Sequence, residues 1–220
     1  MVKERFTRGG CIIIPHICPL VVHGLQMLIF WESRLVFLAT PKAGSTAVEA
    51  ALEGLANVAV QRPAALKHAD LRTYRQHIEP WLHSVTGDRF TTVALMREPV
   101  GWLRSWYRFR LRDDDEDPEH PMTGITFAEF ADAYARPDGK DVAHVGTQSA
   151  FLTHGQDRVD RIFRYEDIET FTHYLEDQLD CAISLPRINV PPAVDVTLTP
   201  EQETRLREVM AGDFTLYRGL

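Results

Sequence analysis

Cysteine is scarce in this sequence. Three in 220 residues, Cys11, Cys18 and Cys181, leave neither a disulfide framework nor a Cys-x-x-Cys metal knuckle, and they point to a reducing, cytoplasmic setting. No unbroken apolar run is long enough to span a bilayer, so stable membrane insertion is not expected. Internal repeats and low-complexity linkers are also missing, which excludes solenoids and arrays. Nor is there a surplus of positive charge. With 24 Lys and Arg against 31 Asp and Glu, the net charge is −7, which argues against nucleic acid as a partner. An acidic chain can still gather its Lys and Arg in one cleft for an anion. What is present, 45% hydrophobic and 25% charged residues, suits one folded domain with a full core.

Residues 1–26 set Lys3, Arg5 and Arg8 before the apolar run Cys11 to Val22, which Pro15, His16 and Pro19 interrupt. The layout is that of a broken secretory signal without a small-residue cleavage pattern. The expected organisation is therefore a poorly ordered extension over 1–26 and a single domain over 27–220, with Met27 as a possible natural start.

From Leu28 onward short apolar runs alternate with helix-like segments, the pattern of an α/β fold. Leu35 to Ala39 reads as the first strand, buried on both faces. A turn over Thr40–Gly44 and a helix from Ser45 to Leu55 follow. Phe90 to Met96 is the next strand, and Pro99 suits the first position of a helix running to Arg112. Val159 to Arg164 and a helix over Glu166–Leu179 form a third unit. The expected architecture is a P-loop-like three-layer α/β/α sandwich around a mostly parallel sheet, whose ligands gather beyond the strands' carboxyl ends. The acidic stretch from Asp113 to Glu119 reads as a solvated loop. A helix over Glu201–Met210 and the ending Asp213–Tyr217 read as packing.

Two segments can hold phosphate. In Thr40-Pro41-Lys42-Ala43-Gly44-Ser45-Thr46, a helix start offers unpaired N–H groups and its positive dipole end. Gly44 permits close approach of the main chain, Ser45 and Thr46 add hydroxyls, and Lys42 adds a mobile charge. The lysine precedes the glycine and no Gly-Lys-Ser/Thr ending follows, so ATP hydrolysis with magnesium is disfavoured. In the second unit Arg97-Glu98-Pro99 ends a strand, with Ser105 eight positions on. A guanidinium fork and a helix N-terminus there suit a second phosphate, and two sites suggest a bisphosphorylated ligand.

These motifs resemble those of the PAPS-dependent sulfotransferases, which use 3′-phosphoadenosine 5′-phosphosulfate as donor. Pro41 to Thr46 resembles the family's 5′-phosphosulfate loop, Arg97 with Ser105 its 3′-phosphate motif, and Arg164-Tyr165-Glu166-Asp167 the segment that carries a nucleobase-contacting tyrosine. The Asn189 region and the Asp213–Tyr217 ending resemble the carbohydrate branch, and the chain is expected to be a bacterial member of the family. The family's Arg-Lys-Gly segment is missing, so Arg104 or Arg108 would have to complete the 3′-phosphate site. The resemblance implies Lys42, Ala43, Gly44, Ser45, Thr46, Arg97, Ser105 and Tyr165 as donor-binding residues. It also implies a small-molecule or carbohydrate acceptor and no metal.

Sulfuryl transfer, like phosphoryl transfer, mainly requires positioning and charge stabilisation. The resemblance assigns Lys42 to the leaving oxygen. An acceptor hydroxyl needs a base near neutrality, and His68, in Leu66-Lys67-His68-Ala69-Asp70, is the candidate, with Glu49 as runner-up and an exposed helix glutamate as the plain alternative for it. His77 and His83 read as exposed helix residues. The competing functions are a P-loop kinase-like phosphotransferase and a non-catalytic module that binds adenosine bisphosphate. The oligomeric state stays open.

Overall fold

The computed structural model describes residues 27–60, 68–113, 122–136, 143–188 and 194–220. The extension expected over 1–26, Lys67, Asn189 and most of the acidic stretch lie outside the described residues.

A five-stranded sheet forms the centre. Its strands are β1 (Met27–Phe30), β2 (Leu35–Leu38), β3 (Val58–Val60), β4 (Thr91–Met96) and β7 (Arg161–Arg164), in the order β3-β1-β2-β4-β7. The short pair β5 (Thr153–His154) and β6 (Asp157–Arg158) forms a separate hairpin. Strands β2, β4 and β7 run parallel, with Leu38 opposite Ala94 and Met96 opposite Arg164. β1 is antiparallel to both its neighbours, so four of the five strands share one direction. The carboxyl ends of β2, β4 and β7 therefore meet at one edge, and each leads directly into one of the three motifs.

β1 and β3 lie outside the strands expected from the sequence, in which Leu35 begins the first strand. β1 is four apolar residues that follow another apolar run, which hides its boundary. β3 is only three residues at the sheet edge. Helix boundaries moved by a turn or less: the helix expected over 45–55 ends at Leu52, because Gly54 sits in the turn beyond rather than at the cap.

Period-two alternation along the strands divides the core. Leu28, Phe30, Leu35, Phe37, Val93 and Leu95 face helices α1 (Ser45–Leu52) and α7 (Ile168–Leu179), against Val48, Leu52, Phe171 and Leu175. Met27, Ile29, Val36, Leu38, Ala94 and Met96 face the opposite layer. That layer holds α2 (Leu71–Thr73) and α3 (Glu79–Thr86), joined by a π turn over Tyr74–Ile78, and α6 (Gln148–Leu152). The π turn has a cause in the sequence. Pro80 cannot donate to the carbonyl four residues back, and the Glu79 N–H instead bonds to Tyr74, five back.

A third cluster forms around α4 (Pro99–Asp113), α5 (Phe127–Tyr134) and α8 (Pro200–Val209), where Trp102, Leu103, Tyr107, Phe127, Phe130 and Leu206 are buried. The Asp213–Tyr217 ending lies in the helix α9 (Ala211–Arg218); its Phe214 packs on this third cluster and its Leu216 and Tyr217 on the sheet.

Candidate active site

The loop after β2 is a main-chain device. Lys42 has φ +60° and Gly44 φ +81°, two left-handed residues in three positions, which turn the chain sharply into α1. Gly44 is the cap residue of α1 and supplies no side-chain cap, so the helix start keeps N–H groups directed outward. The loop is held from α4, where the Trp102 indole N–H donates to the Pro41 carbonyl at 2.8 Å. Ser45 is buried, and its hydroxyl has no hydrogen-bond partner among the described residues. A buried hydroxyl at a helix start is the kind of orphan donor that an anion satisfies. Thr46 is half-buried beside it.

Tyr165, first residue of the 3₁₀ turn Tyr165–Asp167 after β7, lies over this loop. A Cβ on Gly44 would fall 2.5 Å from Cε2 and 2.7 Å from Cδ2 of its ring. Glycine is thus needed at 44 twice, for its φ and for the ring that rests against it. The Arg97 guanidinium sits over the same ring, 4.8 Å from its centroid. Gly44, Tyr165 and Arg97 form one continuous row.

Arg97 is fixed by its backbone. Its N–H donates to the Gln148 side-chain carbonyl at 2.9 Å, and the Gln148 amide donates back to the Arg97 carbonyl at 2.8 Å. Gln148 and Ser149 in turn donate their N–H groups to the buried Asp213 carboxylate, at 3.2 and 2.7 Å. Glu98 accepts from the Gly101 N–H at 2.6 Å and donates its own N–H to Glu166 at 2.9 Å. The other Glu166 oxygen takes the Tyr217 hydroxyl at 2.8 Å. Burial, and then this carboxylate, push the Tyr217 phenol up to about 12. The strand ends that carry the motifs are thereby stitched together by side chains far away in sequence.

One face of α4 continues the row. Residues 97, 101, 104, 105 and 108 follow at helical spacing, and Arg97 Nε lies 3.6 Å from where a Cβ on Gly101 would stand. Ser105 is half-buried one turn beyond Gly101. No carboxylate pairs with Arg97, Arg104 or Arg108 among the described residues. The Nε atoms of Arg104 and Arg108 are buried without a hydrogen-bond partner. Burial, and then the charges of Arg97 and Arg104, make the Arg108 guanidinium less basic than usual. Three guanidiniums gathered on one face, with no ion pair to a carboxylate of the described residues, make this face electropositive among those residues.

The Lys42 ammonium lies over the Phe109 ring, 2.9 Å from its centroid, and 5.1 Å from the Trp106 centroid. His68 is half-buried. Its neighbours place it: Ala69 shares a cluster with Leu38 and Met96, the last residues of β2 and β4, and Asp70 caps α2 by accepting the Thr73 N–H at 2.8 Å. Glu49 corrects an expectation. It is buried at 3% exposure, one turn after Ser45, so the reading of an exposed helix glutamate fails. His77 and His83 are exposed.

Sequence reasoning missed Gln148, Asp213, Trp106 and Phe109. The two aromatics did carry a signal, since Trp102, Trp106 and Phe109 recur at spacings of four and three. Gln148 and Asp213 carried none, because their partners are supplied only by the tertiary fold. A depression lined by Arg89, Phe90, Thr91, Asp160 and Arg161 lies at the opposite ends of β4 and β7. Arg89 is already paired with Asp160 at 2.8 Å, so it offers less to a ligand. No group of His, Cys, Asp or Glu suited to a metal, and no helix long and apolar enough to cross a membrane, occurs among the described residues.

The model of the family described as the sulfotransferase family matches residues 25–218, which include all three motifs. No curated protein and no solved structure matches the chain.

Proposed function

The chain belongs to the sulfotransferase family, and from that premise we propose that it moves a sulfuryl group from 3′-phosphoadenosine 5′-phosphosulfate to a hydroxyl of a small-molecule or carbohydrate acceptor. The observation that carries this reading is the row Gly44–Tyr165–Arg97. One aromatic ring touches both the main-chain anion site and the first guanidinium of the side-chain anion site. A single adenosine carrying phosphates at its 5′ and 3′ positions fits such a row, with its flat parts near Tyr165. The buried Ser45 hydroxyl, without a hydrogen-bond partner among the described residues, supports the 5′ site, and Arg104 and Arg108, without an ion pair among the described residues, support the 3′ site where the family's Arg-Lys-Gly segment is missing.

The acceptor oxygen forms a bond to sulfur while the sulfur's bond to the bridging oxygen breaks. That electron pair stays on the 5′-phosphate, and 3′,5′-adenosine bisphosphate leaves. Lys42 stabilises the charge that grows on the departing oxygen, and the outward N–H groups at the start of α1 hold the phosphate still. Ala43 and Thr46 line the same turn. Arg97, Ser105, Arg104 and Arg108 hold the far phosphate and so fix the nucleotide's orientation. His68 takes the acceptor proton, with the buried Glu49 as the alternative base. No step calls for a metal.

The test is incubation with sulfur-labelled donor and a panel of sugars, lipids, phenols and peptides. The reading expects a labelled ester, formed in step with release of 3′,5′-adenosine bisphosphate. Nucleotide binding without turnover on any acceptor favours the non-catalytic module. Transfer from ATP with magnesium favours the phosphotransferase.

A further inference from the structure

Three aromatic rings run along one edge of α4. Trp102 and Trp106 meet edge to face at 6.1 Å and 85°, and Trp106 and Phe109 at 5.8 Å and 82°. The ladder grips two consecutive residues of the loop in two different ways. Its first rung donates a hydrogen bond to the Pro41 carbonyl. Its second and third rungs lie under the Lys42 ammonium. Loop backbone and lysine side chain are thus referenced to the same rigid element, the helix that also carries Arg97's row.

A lysine head on a four-carbon stem samples many rotamers, and ordering it costs entropy. Two π faces do that ordering here in advance of any ligand. The attraction is modest, and a phosphate oxygen that carries full charge outcompetes it. Arg110 adds to the imbalance, since its guanidinium lies 5.9 Å from the centroid of the same Trp106 ring. Two cations sharing one ring favour surrender of the mobile one to an anion.

We propose that Trp106 and Phe109 are positioning residues for Lys42, holding its ammonium against α4 in the free protein and releasing it to the 5′-phosphate when the nucleotide arrives. The proposal rests on the reading of Lys42 as the residue that meets the departing oxygen. It assigns to the aromatic stripe a task beyond packing, because the half-buried Phe109 contacts the lysine head.

The chain has only four lysines, Lys3, Lys42, Lys67 and Lys140, so reductive dimethylation with ¹³C gives a spectrum simple enough to assign with Lys42→Arg. The Lys42 methyl signal should be displaced upfield by ring currents in the free protein. It should move toward the unperturbed lysine position on saturation with 3′,5′-adenosine bisphosphate. Phe109→Leu should shrink the displacement and Phe109→Tyr should restore it. With an acceptor from the panel, Phe109→Leu should leave kcat within about twofold, because the contact is already broken once the nucleotide is bound, and should not weaken Kd for the nucleotide.

An undisplaced Lys42 signal in protein that binds the nucleotide overturns the proposal and leaves the donor reading standing. Loss of nucleotide affinity in Phe109→Leu also overturns it, by making the ring's role structural. A displaced signal in protein that ignores the nucleotide overturns the donor reading instead.

Discussion

The loop over residues 40–46 and the helix face over residues 97–108 are the two proposed anion sites, and they are built from opposite materials. The first is main chain: two left-handed residues, a helix start without a side-chain cap, and a glycine pressed by a tyrosine ring. The second is side chain: guanidiniums at helical spacing with no carboxylate among the described residues to neutralise them. A main-chain site cannot be altered without moving the backbone, so it should fail all at once. A side-chain site should weaken one charge at a time and respond to salt. The contrast also suits the chemistry proposed, in which the reacting phosphate needs fixed geometry and the distant one needs only a grip.

The largest effect should come from Lys42→Ala. Transfer should fall on the order of 10³-fold, as when one charge-stabilising donor is removed from an active site. Affinity for 3′,5′-adenosine bisphosphate should change little. Single-turnover assays beside calorimetry check this, and equal losses in both would move Lys42 from the chemistry to binding.

Gly44→Ala comes next. The new Cβ must displace Tyr165 and hold φ +81°, a strain of about 1–3 kcal/mol. Affinity should drop on the order of 10²-fold, and equally for the 3′,5′-bisphosphate and for 5′-AMP. A loss confined to the bisphosphate would contradict the assignment of the two sites.

Arg97→Ala and Arg108→Ala should each cost roughly tenfold, and only for ligands with a 3′-phosphate. The preference over 5′-AMP should shrink stepwise and the salt dependence should flatten. If either variant weakens 5′-AMP as much as the bisphosphate, the helix face is not a separate site.

The smallest effect concerns the stitching that holds the two regions together. The Tyr217 phenol rises from 10.0 to about 12, first through burial and then through Glu166. Its neutral form is favoured in the fold, so this contribution is complete below pH 10 and is lost as pH rises toward 12. Unfolding followed across that range should show an alkaline slope that Tyr217→Phe reduces. An unchanged slope would remove Tyr217 from the account.

Much of this was readable in the sequence where a residue type has one physical reason for its place. Gly44 marks a turn before a helix, Pro99 marks a helix start, and Arg97 ends a buried apolar strand. What could not be read is how these positions meet. Tyr165 fell within a motif, yet nothing in its surroundings in the chain tells that its ring joins residue 44 to residue 97. Gln148 and Asp213 bond across 51 and 65 positions, and only the packing of α6 against α9 and the end of β4 brings them close. For Glu49, the runner-up base, an exposed position was the plain alternative, because the spacing of its neighbours does not tell that α1 buries that side. Trp102, Trp106 and Phe109 recur at helical spacing, which core packing alone explains, so nothing in the sequence tells that two of these rings lie under Lys42. The first strand was concealed by the apolar run before it.

The central claim is that both anion sites serve one nucleotide, and calorimetric titration of the unmodified protein with 3′,5′-adenosine bisphosphate, 5′-AMP and ATP plus magnesium tests it most directly. The account predicts one molecule of the bisphosphate bound per chain, more tightly than either of the others, with heat that falls away in Arg97→Ala. Tighter binding of ATP with magnesium, or equal binding of the bisphosphate and 5′-AMP, would contradict it.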